Sequence, residues 1–140
     1  MRLSIRNQLD GVIQSVARGE VMATVRIALA GGPEITAAIT LEAVDDLGLT
    51  DGQRVRVLVK STEVAIATAP LEHLSIRNRL PGMIANVDHG AVMTIVRVTI
   101  DGGQTVTAAI TKDGAEDLDL SVGDAVTALI KSTEVSIAVD

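Results

Sequence analysis

The chain repeats itself without a gap, so whatever fold it adopts must use one arrangement twice. Sliding the 140-residue sequence by 71 positions lays Leu3-Ser4-Ile5-Arg6-Asn7 on Leu74-Ser75-Ile76-Arg77-Asn78, and Gly11 on Gly82. Gly19-Glu20-Val21-Met22 falls on Gly90-Ala91-Val92-Met93, and Gly31-Gly32 on Gly102-Gly103. Thr36-Ala37-Ala38-Ile39-Thr40 meets Thr107-Ala108-Ala109-Ile110-Thr111, and Lys60-Ser61-Thr62-Glu63-Val64 meets Lys131-Ser132-Thr133-Glu134-Val135. A period this long exceeds a solenoid unit and indicates a duplicated domain. The joint, Thr68-Ala69-Pro70-Leu71-Glu72-His73, is short enough to keep the halves adjacent. The expected domains are residues 1–69 and 70–140, a pseudo-dimer within one chain.

Each half reads as five strands and one short helix. The first strand is expected over Leu3 to Val16, with Gly11 as a bulge or bend. Val21 to Leu29 alternates apolar residues with smaller or polar ones, the period of a half-buried strand. Gly31-Gly32 makes a hairpin turn into a third strand, Glu34 to Thr40. Leu41 to Leu47 has helical spacing, with Thr40 as N-cap and Gly48 as stop. After a turn at Asp51-Gly52, Gln53 to Lys60 and Val64 to Thr68 complete the set, separated by Ser61-Thr62-Glu63. The class is all-β with one short helix per repeat, arranged as tandem five-stranded antiparallel barrels of the OB kind.

Composition narrows the chemistry. There is no Cys, which removes disulfides, zinc-thiolate sites and thiol nucleophiles and fits a reducing compartment. The start, MRLSIRNQL, lacks an apolar h-region, and no run approaches the ~20 apolar residues of a membrane helix. A cytoplasmic protein is expected, with no signal peptide and no membrane partner. The net charge is −6 and there is no Phe, Tyr or Trp. Single-strand binding needs aromatic platforms and duplex binding needs a basic face, so nucleic acid is an unsuitable partner. Two domains of roughly 70 residues bury little surface each, and a multimer is expected.

The polar positions shared by both halves are Ser4/Ser75, Arg6/Arg77, Asn7/Asn78, Arg26/Arg97, Thr36/Thr107, Thr40/Thr111, Lys60/Lys131, Ser61/Ser132, Thr62/Thr133 and Glu63/Glu134. Donors outnumber carboxylates in this set although the chain is acidic, which points to a local anion site. Backbone N–H groups, hydroxyls and one or two cations can replace an oxyanion's hydration shell. Taken singly, each residue has a plainer role. Ser4 and Asn7 read equally as capping or turn residues, Arg6 as a solvated strand residue, Thr40 as an N-cap, and Lys60 as a strand-end guard. Arg26, Thr36 and Glu63 read as solvated strand or turn positions. His73 in the linker and His89 in a turn have no counterpart in the other half, and no nucleophile–base pair, phosphate loop or metal cluster appears. No enzyme is expected, no cofactor, and no directly ligated metal.

S-x-R-N-x-L-x-G-x-I at each N-terminus, A-I-T before each helix and K-S-T-x-V near each end resemble the Mop domain of the molbindin family, a molybdate-binding module of the TOBE kind. The resemblance covers Leu3 to Ala67 and Leu74 to Ala138. It implies OB-like barrels with exchanged strands, homotrimers of two-domain chains, and oxyanion sites at domain and subunit interfaces. By resemblance, Ser4, the backbone of Ile5, Arg6 and Thr40 form one side of a site, and Lys60 and Ser61 of an adjoining domain form the other. The second set is Ser75, Ile76, Arg77 and Thr111 with Lys131 and Ser132. A second, axial kind of site in the family falls on Gly19, Glu20, Val21 and Met22 and on Gly90, Ala91, Val92 and Met93. Its common Asn is replaced here by Met22 and Met93, and Glu20 adds a negative charge, so this axial site is weakened. Family members often carry Ala where Ile5 and Ile76 stand, which crowds the backbone approach.

With no room in these 140 residues for an ATPase or a helix-turn-helix region, the resemblance implies a storage or homeostasis protein for molybdate, with tungstate indistinguishable by size and charge. The alternative is a structural or protein-partner module in which the repeated motifs serve assembly alone.

Overall fold

The computed structural model describes residues 2–140. In the first half β1 spans Asn7–Arg18, β2 Met22–Leu29, β3 Glu34–Thr40, α1 Leu41–Leu47, β4 Arg54–Val59 and β5 Ala65–Ala67. In the second half β6 spans Asn78–His89, β7 Met93–Ile100, β8 Thr105–Thr111, α2 Lys112–Leu118, β9 Ala125–Ile130 and β10 Ser136–Ala138. A 3-10 turn precedes β5 at Ser61–Glu63 and β10 at Ser132–Glu134.

The strands form two five-stranded antiparallel sheets, ordered β10-β4-β1-β2-β3 and β5-β9-β6-β7-β8. The last strand of each half therefore completes the sheet of the other. Ser136, Ile137 and Ala138 pair with Leu58, Val57 and Arg56, while Ala65, Ile66 and Ala67 pair with Leu129, Ala128 and Thr127. This is the mutual strand exchange implied by the resemblance, made within one chain. The fold is a tandem OB-like β architecture.

Alternation builds the interior. Val25 and Ile27 of β2 and Val55, Val57 and Val59 of β4 point inward and are buried, as are Ile35 and Ala37 of β3. Their second-half counterparts, Val96, Val98, Val126, Ala128, Ile130, Val106 and Ala108, join the same continuous cluster. With no aromatic ring to fill space, β-branched residues on the pleat supply the packing. Val44 alone of α1 is fully buried, with Leu41 and Leu47 partly buried against the same core.

The sequence places β3 and α1 at their observed limits, but the first strand begins later. Residues 3–6 lead into β1 without pairing, and the strand then runs on to Arg18. Gly11 is also not a bulge. The register shift lies between Ile13 and Ser15, and its repeat between Ile84 and Asn86. A Cβ at Gly11 would stand 2.5 Å from Ile27 Cγ2 and 3.1 Å from the Ala28 carbonyl oxygen, so this glycine allows β2 to cross closely. His89 is the last residue of β6 rather than part of a turn.

Candidate functional site

The segments carrying the repeated S-I-R-N motif lead into β1 and β6. Ser4 and Arg6 are exposed and Ile5 is half-buried, and Ser75, Arg77 and Ile76 repeat this. Gln8 Nε2 donates to the Ile5 carbonyl at 3.0 Å, and Arg79 Nε donates to the Ile76 carbonyl at 2.9 Å. Holding these carbonyls fixes the strand entries. Among the described residues, the amides of Ile5 and Ile76 have no hydrogen-bond partner. The Arg6 guanidinium folds onto its own segment, with Nε donating to the Ser4 carbonyl at 3.1 Å and Nη2 to the Leu3 carbonyl.

Asn7 has neither of its expected roles. It is buried, and its amide acts as one extra rung on the other half's edge strand: Nδ2 donates to the Thr107 carbonyl at 2.8 Å, and Oδ1 accepts from Thr107 N–H at 2.7 Å. Asn78 pairs in the same way with both backbone groups of Thr36, each at 2.8 Å. The motif thus joins a docking side chain to an open segment that precedes it.

Two small hollows lie beside these segments, each of about 130 Å³. The first is lined by Ile5, Leu58 and Lys60 of one half and Thr133, Glu134 and Ser136 of the other. The second carries Ile76, Leu129 and Lys131 with Thr62, Glu63 and Ala65. Each therefore combines an exposed lysine, at least one hydroxyl and an isoleucine whose backbone amide is free, at a boundary between halves, with one glutamate contributed by the other half. Such a set can hold a small oxyanion by charge-assisted and backbone hydrogen bonds.

Of the residues the sequence assigns, the structure brings Ile5 beside Lys60, and Ile76 beside Lys131, within one half. It adds the turn after the other half's lysine, including Thr133, Glu134 and Ser136, which the sequence reading left aside. The recurrence of Thr-Glu after Lys-Ser was the available signal for them. Ser4, Arg6, Ser75 and Arg77 are exposed and do not line the hollows. Thr40 and Thr111 are N-caps, accepting from the amides of Ala43 and Gly114 at 3.1 Å.

Ser61 is the exception among the shared hydroxyls. Its Oγ is buried and has no partner, whereas Ser132 Oγ lies 3.5 Å from Asn78 Nδ2. An unpaired buried hydroxyl costs free energy and indicates a missing acceptor. The axial segments are open as well. Val21 is 73% and Val92 75% exposed, with Met22 and Met93 beside them also at the surface. Among the described residues, no group of three or more His, Asp or Glu gathers as a metal site, and no helix is long and apolar enough to cross a membrane.

The TOBE domain model matches residues 3–66 and 74–137. The chain belongs to the TOBE-domain family. Its paired TOBE domains are 41% identical over 139 residues to the molybdenum-pterin-binding protein MopB of Rhodobacter capsulatus, covering 99% of this chain and 52% of that protein. They are 38% identical over 140 residues to the molybdenum transport protein ModE of Herbaspirillum seropedicae, again covering 99% and 52%. The chain thus spans about half the length of the curated relatives it matches. A crystal structure of the cytoplasmic molybdate-binding protein ModG, in a form with molybdate bound, superposes with a TM-score of 0.97 at 34% identity over 100% of both chains.

Proposed function

We infer that this chain binds molybdate reversibly, as a storage or homeostasis protein of the cytoplasm, and does no chemistry on its ligand. The observation that carries this reading is the end-to-end superposition on ModG, which has molybdate bound and the same tandem arrangement. The chemistry of the repeated hollows supports it. Lysine, free amide and hydroxyl groups suit a tetrahedral dianion, and tungstate, with nearly the same size and charge, fits the same description. Ser4, Arg6, Thr40 and Ser61 then contribute where an adjoining domain or subunit meets these hollows, and Ser75, Arg77, Thr111 and Ser132 do so in the second set. A homotrimer is the assembly proposed, with exposed Val21, Met22, Val92 and Met93 available for contacts between copies.

The deciding experiment is calorimetric titration with molybdate, tungstate and sulfate. The protein must first be stripped of bound anion and quantified by amino-acid analysis, since it has no Trp or Tyr. Saturable molybdate binding with much weaker sulfate binding is the expected result. No heat and no competition with any of the three anions would overturn the reading. That outcome would favour the second one, an assembly module, for which the docking of Asn7 and Asn78 across the halves already gives the repeated motif a purely structural use.

A further inference from the structure

A hollow of about 560 Å³ lies away from the oxyanion candidates, between β1, β4 and the end of β10. Arg54 and Arg56 stand on its wall, over a floor that includes Gly11, Val12, Val55 and Ala138. Both hollows beside β4 use the same face of that strand. Arg56 and Lys60 are four residues apart, roughly 13 Å along a strand, so the two openings are separate.

The duplication supplies an internal control. A hollow of about 450 Å³ occupies the corresponding place in the second half, so the backbone forms such a space in both. There the positions of Arg54, Arg56 and Asp10 are taken by Ala125, Thr127 and Pro81. The second hollow keeps one carboxylate, Asp101, but the two arginines belong to the first half alone and are not required to make the hollow.

Register shows what those charges face. Arg56 lies between Asp10 on β1 and Ala138 on β10, and its Nε is 3.7 Å from Asp10 Oδ1. Arg54 lies opposite Val12 and makes no ion pair among the described residues. Asp10 is held from the other half, where Gln104 Oε1 accepts from its amide at 2.9 Å and Gln104 Nε2 donates to its carbonyl at 3.2 Å. Asp140 adds a second carboxylate at the rim, without an ion pair to either arginine. One guanidinium is therefore shared with Asp10 while the other is open, above an apolar floor large enough for a small organic molecule.

We propose that this hollow is a second binding site, for a small organic anion whose carboxylate or phosphate head is gripped by Arg54 and Arg56 while its apolar body covers Val12, Val55 and Ala138. A guanidinium pair grips either head group through forked hydrogen bonds, and the floor favours a flat or aliphatic body. The bare oxyanion of the repeated hollows would gain nothing from that floor. The site stands independently of the molybdate reading.

The absence of aromatic residues makes the test clean, because a naphthyl probe is fluorescent against a silent protein. 1-Naphthoate and 1-naphthyl phosphate are titrated into the full chain, the stronger of the two identifying the head group. The double variant Arg54→Ala with Arg56→Thr, which copies the second half, should weaken the better probe roughly tenfold or more, as loss of charge-assisted contacts does. Molybdate titration of that variant should match the unaltered chain, which separates this site from the oxyanion hollows. Arg54→Gln, which keeps bulk at an exposed position, should show a smaller loss and serves if the double variant does not fold. Failure of both probes to bind the unaltered chain, or equal binding by the variants, would overturn the proposal.

Discussion

At the residue scale, the most informative atom is the Ser61 hydroxyl, because its two possible roles give effects of opposite sign. Buried without a partner, it destabilises the anion-free protein, so Ser61→Ala should leave stability unchanged or raise it by up to about 1 kcal/mol. If the hydroxyl donates to the oxyanion, the same change should weaken molybdate binding by about tenfold or more. A melt followed by far-ultraviolet circular dichroism and a molybdate titration read the two effects separately; lowered stability with unchanged affinity would contradict the assignment. Lys60→Ala with Lys131→Ala removes the positive charge from both hollows, leaving Glu134 and Glu63, and should cost about 2–5 kcal/mol of binding at each. Equal affinity in that double variant would remove the lysines from the site. Asn7 belongs to a different category. Asn7→Ala strips two hydrogen bonds and leaves both backbone groups of Thr107 unpaired, which should destabilise the fold by about 1–3 kcal/mol in a denaturant titration. The sequence showed that Asn7 mattered, through its recurrence at Asn78. It could not show that the partner is backbone 100 residues away, since a backbone acceptor leaves no residue signature.

At the element scale, legibility followed the range of the interactions. β3 and α1 were readable to the residue because their limits are set locally: the Thr40 hydroxyl caps the amide of Ala43, and Gly48 ends the helix with φ of 61°. The start of β1 was not readable, because pairing with β4 begins only at Asn7 opposite Val59, and apolar content cannot reveal that limit. Glycines show the same division. Gly31 was recognisable as a hairpin turn, but not as a contact point. It has φ of 95°, and a Cβ there would stand 2.4 Å from the Cα of Gly102, at the tip of the other half's hairpin. Gly32, with φ of 125°, has nothing within 4 Å of its Cβ position. Both substitutions to Ala meet conformational strain, but only Gly31→Ala also drives the hairpin tips apart. Gly31→Ala should therefore lower the melting temperature clearly more than Gly32→Ala. Equal losses would mean that the tips do not press together.

At the scale of the whole molecule, the exchange of β5 and β10 makes the two halves interdependent, and this was available only through the family resemblance. Hydrophobic alternation identifies a strand but not the sheet that accepts it. The physical consequence is that an injury to one half should appear in the other. Removing Ser136 to Asp140 deletes β10, whose three residues pair with Leu58, Val57 and Arg56 on the outer side of β4. The deletion takes nothing from the second half's sheet, where β9 keeps both β5 and β6 as neighbours. Hydrogen exchange of the shortened chain should therefore speed up at the β4 amides that face β10 and leave β9 protected. The new edge also exposes Leu58, which is 8% accessible in the intact chain, and so leaves an apolar edge prone to association. Loss of protection centred on β6 to β9 instead would mean that β10 supports its own half. Because the hollow containing Lys60 loses Ser136 outright, and its Thr133 and Glu134 lie in the turn that β10 anchors, the deletion should also weaken one class of molybdate site and spare the other. A titration stoichiometry reduced by half, with the remaining affinity intact, is the signature expected of sites built across the exchange.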